Sequence, residues 1–393
     1  MIQPRRFSAL TAFVLIAATS GGALAHDTGP KARDPIILDR SGGFVIGGRT
    51  QINPNNPNRS LSCDYGYMEY FIPVNPRRTS LVMWHSSSTQ VWQNRWDGGE
   101  GFKDMFLRRR YPVYLWDGPR VGRANWGCAS YTYTPNNSSD QGNFTAWNLG
   151  PANPAGLTPT PFEWWSPSQF PTDNEQAWLD ATRSRYLEFD LGSNIALQTD
   201  AAAVAADSGR IGDQIVYLTN SAGGLRAMVT TSKATKNNIA GIVAYESIGY
   251  VFPIGNPESP PNLCNLSGNA CAFGPVGIPQ EDFNKLAKLK KIQFVWGDNR
   301  PETYTYVQQS RLCAKLINEA GGNAEVLKLG EDAGLLGSTH IPFADMDNDK
   351  VAGLLDKLLK ENGLDKDDHG GDHGHGGDHD HGGDHGHGGD HGH

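Results

Sequence analysis

One stretch constrains this chain more than any other: Gly212 to Ala227, read Gly-Asp-Gln-Ile-Val-Tyr-Leu-Thr-Asn-Ser-Ala-Gly-Gly-Leu-Arg-Ala. An apolar run ends abruptly at Ser221, and a helix-compatible segment follows two glycines. This is the strand, sharp turn and helix start of a nucleophile elbow. A serine hydroxyl is a weak nucleophile at neutral pH, so it must be lifted onto a tight turn that a base can reach and where backbone amides can hold an oxyanion. Ala222, Gly223 and Gly224 leave room for a close helix, with the Ala222 amide as one oxyanion donor. The pattern departs from Gly-x-Ser-x-Gly at its first position, where Thr219 stands.

Such an elbow needs a base and an orienting acid. Twelve histidines are present, nine of them in the last 25 residues, which leaves His26, His85 and His340. His85 closes the apolar run Thr79–Trp84 and precedes Ser86, Ser87 and Ser88. His340 lies in a loop after the last strand signal, within Gly337-Ser-Thr-His-Ile-Pro342. Two further apolar runs, Ile239–Tyr245 and Lys291–Gly297, each end in a carboxylate, Glu246 and Asp298. The chain order serine, acid, histidine is therefore available with either acid.

The remaining pattern alternates strand and helix. Strands are expected in an opening hairpin over Pro35–Arg49, at Tyr67–Val74, Thr79–Trp84, Tyr111–Trp116, before Ser221, at 239–245 and 291–296, and at Ala324–Leu329. Helices are expected at Gly101–Arg109, Asp200–Ala206, after the elbow, at Pro301–Ala320 and at Asp349–Lys360. That alternation predicts a mostly parallel sheet covered on both faces. Residues 130–185 break the rhythm: rich in Pro, Asn, Ser and Thr, and carrying Trp147, Trp164, Trp165 and Trp178, they read as a lid or binding insertion, or as a surface excursion around its own aromatic core.

Both ends differ from the body. Arg5-Arg6, an apolar run over Phe7–Ala18 and Ala23-Leu24-Ala25 form the signature of a signal peptide over residues 1–25, so the mature chain is expected to start at His26 outside the cytoplasm. The apolar run is too short to span a bilayer, and no other segment could do so. The formal net charge of −8 comes largely from residues 365–393, with eight Asp and one Lys. The body over 26–364 is thus nearly neutral, and nothing basic suggests nucleic acid. The tail repeats a Gly-Gly-Asp-His-Gly-His hexad, a composition that cannot pack a core and is expected to be disordered. Its His369, His373, His375, His379, His381, His385, His387, His391 and His393, beside carboxylates, are candidate ligands for Zn, Ni or Cu. Catalysis on the serine pattern needs no cofactor. In an oxidising compartment Cys264 and Cys271 form a candidate local disulfide and Cys63 with Cys128 a second, while Cys313 reads as a buried free thiol on an apolar helical stripe.

These residues resemble the α/β-hydrolases, and among them a small group of exported bacterial esterases. The likeness runs through Gly43-Gly-Phe-Val-Ile-Gly-Gly-Arg49, the strand ending in His85, Phe106-Leu-Arg-Arg-Arg110, Asp117-Gly-Pro-Arg-Val-Gly-Arg-Ala124, Thr219-Asn-Ser-Ala-Gly-Gly224 and Ser338-Thr-His-Ile-Pro-Phe343. It spans about residues 40–362, with poor agreement in the insertion. The resemblance implies an α/β-hydrolase fold and a serine esterase. In that group a threonine also replaces the first elbow glycine, and the acid follows the strand after the nucleophile helix, at Glu246 here. The wider superfamily places it one strand later, at Asp298. Relatives follow the His85 position with glycines, whereas this chain has serines, so the second oxyanion donor is expected from Ser86 or Ser87, with His85 a structural residue beneath them. The expected substrate is a small apolar or aromatic ester, with lactones, amides and polyesters open to the same chemistry. A scaffold without turnover whose tail carries metal is the alternative. Oligomeric state is not legible.

Overall fold

The computed structural model describes residues 34–85, 88–129, 139–156, 162–186, 192–266 and 272–368. The expected signal peptide, Ser86, Ser87, Cys271 and the nine tail histidines lie outside the described residues, as does part of the stretch 130–185 expected to be a lid or binding insertion.

In chain order the strands are β1 (Leu38–Asn53), β2 (Asn56–Pro73), β3 (Ser80–His85), β4 (Val113–Asp117), β5 (Ile215–Asn220), β6 (Ile239–Tyr245), β7 (Val251–Pro253), β8 (Val276–Ile278), β9 (Lys291–Trp296) and β10 (Ala324–Lys328). The α-helices are α1 (Phe102–Arg108), α2 (Asp140–Ala146), α3 (Glu175–Arg183), α4 (Gly192–Asp207), α5 (Gly223–Lys233), α6 (Gln280–Leu286), α7 (Thr305–Glu319), α8 (Leu329–Ala333) and α9 (Asn348–Glu361). Among the described residues the main sheet runs β1-β2-β4-β3-β5-β6-β9-β10. It is antiparallel across β1/β2 and β2/β4, and parallel from β4 onward.

Alternation along the buried strands places successive side chains on opposite faces. Val82, Trp84, Tyr217, Ile242, Ala244, Phe294 and Trp296 join a core with α4, α5, α6 and α7. Leu81, Met83, Val216, Leu218, Val243, Tyr245 and Val295 join the opposite core with α1, α9 and the aromatic side chains of the insertion. His85, Ser221, Glu246 and Asp298 then fall at or just beyond the C-terminal ends of β3, β5, β6 and β9, where open α/β sheets place their sites, and Asn220 at that edge binds the loop of His340.

One expectation is corrected. The first hairpin is a single long ribbon from Leu38 to Pro73, with Asn53 opposite Asn56 at its turn, so the strand expected at Tyr67 begins eleven residues earlier. Its distal half is exposed and polar, and therefore carries no apolar alternation to read. The stretch 247–280 also holds β7 and β8, a separate two-stranded parallel sheet. The Cys63–Cys128 disulfide is present and ties β2 to the loop after β4. Cys264 is disulfide-bonded. Cys313 is a buried free thiol whose pKa burial pushes up.

Candidate active site

Ser221 sits between β5 and α5 with φ of 55°, a left-handed backbone that non-glycine residues adopt at a cost of order 1–3 kcal/mol. The surroundings over-determine that turn. The Ser221 amide donates to the Tyr245 carbonyl at 3.1 Å, and its carbonyl accepts from Ile248 at 3.2 Å and Gly224 at 3.1 Å. Both glycines after the serine are required by close approach: a Cβ at Gly223 would lie 2.6 Å from the Trp84 carbonyl, and one at Gly224 only 2.1 Å from Ser247 Oγ. Thr219 is fully buried where a glycine is usual, and its Cβ faces Gly223, where an added Cβ would stand 3.4 Å away. Ala222 occupies the N-cap of α5, where helix amides lack intrahelical acceptors.

Glu246 directly follows β6, and the pairing of Asn220 with Tyr245 sets it beside Ser221 in register. It too has positive φ, 48°. Its side chain is fully buried, with Oε2 3.1 Å from His340 Nδ1 and 2.8 Å from Arg300 Nε, while Oε1 accepts from the Gly297 amide at 2.8 Å. Burial alone would raise its pKa. Arg300 first, then His340 and the Gly297 amide, outweigh that and hold it below the ordinary carboxylate value. Because Glu246 is ionised, Nδ1 of His340 must carry the shared hydrogen, which leaves Nε2 of the neutral ring with its lone pair. Burial lowers the His340 pKa; Glu246 opposes the shift and Arg300 adds to it.

Asp298 is placed differently. Its Oδ2 accepts from the Gly337 amide at 2.8 Å and its own amide donates to the Ser338 carbonyl at 2.9 Å, so it pins the neck of the loop that carries His340. His85 lies beneath the turn: Nδ1 accepts from the Ser88 amide at 3.3 Å, which puts the hydrogen of the neutral ring on Nε2. Its pKa is lowered to about 3, by burial first and then by His340 and Arg226, against a hydrogen bond with Asn220.

Four residues without a distinctive sequence signal complete the arrangement. Asn220 donates from its side-chain amide to the carbonyls of Tyr245 at 3.0 Å and His340 at 2.8 Å, tying elbow, acid turn and histidine loop together. Gly297 is glycine because a Cβ there would lie 2.5 Å from the Thr339 carbonyl and 3.2 Å from Glu246 Oε1. Asp345, pushed up to about 8 by burial despite three donors, accepts from the Thr339 amide at 2.7 Å, its hydroxyl at 2.8 Å and Trp96 Nε1 at 3.2 Å. Arg300 lies in the loop after β9 with no motif of its own, yet its side chain is only 11% exposed. The one signal that could have found Asn220 and Gly297 is adjacency, since each flanks a strand end already singled out.

Among the described residues no group of three or more His, Cys, Asp or Glu side chains is placed to hold a metal, and no helix is long and apolar enough to cross a membrane.

The strand order, the strained serine between β5 and α5 and the carboxylate and histidine in the loops beyond define an α/β-hydrolase fold. A solved structure described as a novel bacterial esterase superposes with a TM-score of 0.61 at 21% identity, covering 85% of this chain and 99% of that one. A fungal protein (Fungal sp., strain ATCC 74256) bearing the name "Probable secreted lipase phiG" is 24% identical over 322 residues, 74% of this chain and 84% of the relative. No family model matches the chain.

Proposed function

We propose that this chain is an exported serine hydrolase acting on carboxylic esters through an acyl-enzyme on Ser221. The observation that carries the reading is the Glu246 to His340 hydrogen bond, 3.1 Å long on a buried ionised carboxylate, in a loop that Asn220 ties to the elbow. His340 Nε2 takes the Ser221 proton as Oγ attacks the ester carbonyl. Glu246 orients the ring and stabilises the imidazolium that forms. The Ala222 amide holds one side of the oxyanion, with a second donor assigned to Ser86 or Ser87. Collapse expels the alcohol, protonated by His340, and water activated by the same ring releases the acid. No step calls for a metal or an organic cofactor.

An apolar or aromatic ester of small size fits the aromatic surroundings. Trp147, whose carbonyl accepts from the His340 amide at 2.9 Å, stacks on Trp96 at 6.4 Å, and Trp96 packs against Phe170 at 5.6 Å. Export is supported by the Cys63–Cys128 disulfide, a bond that persists in oxidising compartments, and by the likeness to a protein named as secreted.

The test is turnover of nitrophenyl esters of increasing acyl length by the mature chain, beside Ser221→Ala, with and without EDTA. The expected result is a loss of about a thousandfold or more in the alanine variant and no response to EDTA. Retained turnover in Ser221→Ala would remove the acyl-enzyme.

A further inference from the structure

A buried carboxylate beside a neutral imidazole is an uncompensated charge. Glu246 is 0% exposed, and while His340 waits as a neutral base its ring donates one hydrogen bond but no charge. Leaving such an anion unpaired costs several kcal/mol. Arg300 supplies the missing cation. Its Nε is 2.8 Å from Glu246 Oε2, the same oxygen that faces His340, and its guanidinium lies 4.9 Å over the Tyr304 ring. Arg300 Nη2 donates to the Ala146 carbonyl at the end of α2 at 3.1 Å.

The end of α2 is built to receive it. Asn148 takes a left-handed φ of 57°, which stops the helix: the Phe144 and Thr145 carbonyls take the Leu149 and Asn148 amides, and those of Ala146 and Trp147 are left to donors from elsewhere. Three consecutive residues then bind three parts of the site: the Ala146 carbonyl takes Arg300, the Trp147 carbonyl takes the His340 amide, and Asn148 donates to the Asp298 carbonyl at 2.5 Å. Gln169 adds bonds to Gly337 and Leu336 from further along the same insertion.

We propose that Arg300 is a positioning residue: seated on the Ala146 carbonyl, it keeps Glu246 charged and aimed while His340 is neutral, so that the insertion holds the acid as well as the base. This rests on the hydrolase reading of Ser221, His340 and Glu246. The groups facing this pair are Glu246 at the end of β6, Arg300 beyond β9, neutral His85 at the end of β3 with Arg226 of α5 near it, Tyr250 and Tyr304 near the carboxylate, and Asp345 on the neighbouring Thr339. Arg300 is the cation closest to the carboxylate, so its removal should raise the proton affinity of the Glu246–His340 pair.

The experiment compares Arg300→Met, Arg300→Gln and Arg300→Lys with the wild type. It measures kcat and KM for nitrophenyl butyrate across pH, and the titration of the His340 ring by NMR on 15N-histidine protein, assigned by the signal lost in His340→Ala. The methionine variant should lose about tenfold or more in kcat, with KM nearly unchanged, and its acid limb and ring titration should both move to higher pH. Lysine should restore the limb. If methionine fails to fold, as judged by its melting transition, glutamine removes the charge while keeping a donor for Ala146 and must show the same shift. Unmoved titration and unmoved limb in a folded neutral variant would overturn the proposal. A wild type inactive on every ester would overturn the hydrolase reading instead, and the ring titration would still decide whether Arg300 governs the pair.

Discussion

Two carboxylates end adjacent strands of this sheet, Glu246 after β6 and Asp298 shortly after β9, and sequence pattern treats them alike. The structure does not. Glu246 is turned by a left-handed φ into the interior and meets a ring nitrogen, a guanidinium and an amide. Asp298 faces the backbone of the loop it supports, at Gly337 and Ser338. The lesson is that an acid's role follows from what its carboxylate can reach, and here one backbone torsion and the position of Arg300 decide it.

The largest expected effect separates the two directly. Glu246→Gln keeps the shape but presents an amide where three donors converge, so it should lower kcat by about a hundredfold or more. Asp298→Asn retains an oxygen that can accept from Gly337, so it should leave kcat within about threefold and cost about 1 kcal/mol in stability. Steady-state kinetics beside urea unfolding measures both, and equal losses of turnover would dissolve the distinction. A smaller but sharper effect comes from Gly297→Ala. The added methyl would lie 2.5 Å from the Thr339 carbonyl and 2.8 Å from that of Ser338. The loop carrying His340 must therefore shift away from Glu246, and kcat should fall about tenfold with little change in melting temperature beyond an ordinary overpacking cost of about 1–3 kcal/mol. Wild-type kcat in that variant would show that the spacing between acid and histidine loop tolerates movement.

The same contrast explains what could be read in advance. Strands β3, β5, β6 and β9 are short, apolar and buried on both faces, so their ends, and with them Ser221, Glu246, Asp298 and His85, were legible. The β1–β2 ribbon was not, because its distal residues are solvent-exposed and only hydrogen bonding across the pair defines them. Within the site, Arg300 and Asn220 were hard to read for a related reason: a polar residue in a loop or at a strand end carries no signal of burial, and only tertiary placement buries it. The aromatic insertion gave composition without geometry. Its helices, α2 and α3, are seven and nine residues long, too short for periodicity to stand out.

The smallest effect lies in the pH dependence, and it tests whether the pair around Glu246 is as buried as its contacts require. The His340 pKa is held below the ordinary histidine value of 6.5, by burial first. The ring should thus remain an acceptor of protons at pH 6.5, and the acid limb of kcat/KM should fall below that value in the wild type and in Asp298→Asn alike. The same depression has a separate consequence for stability. An unfolded histidine takes up its proton near pH 6.5 while the folded ring does not, so the unfolded state binds more protons, and stability falls as pH drops through 6.5 toward the folded value. His85, lowered to about 3, contributes in the same direction from pH 6.5 down to about 3 without touching the reaction. The two causes separate in His85→Gln, which should flatten part of the loss of stability between pH 6.5 and 3 and leave the kinetic limb in place. Movement of the limb with His85, measured where the variant remains folded, would mean that the ring beneath the elbow takes part in the proton transfer assigned to His340.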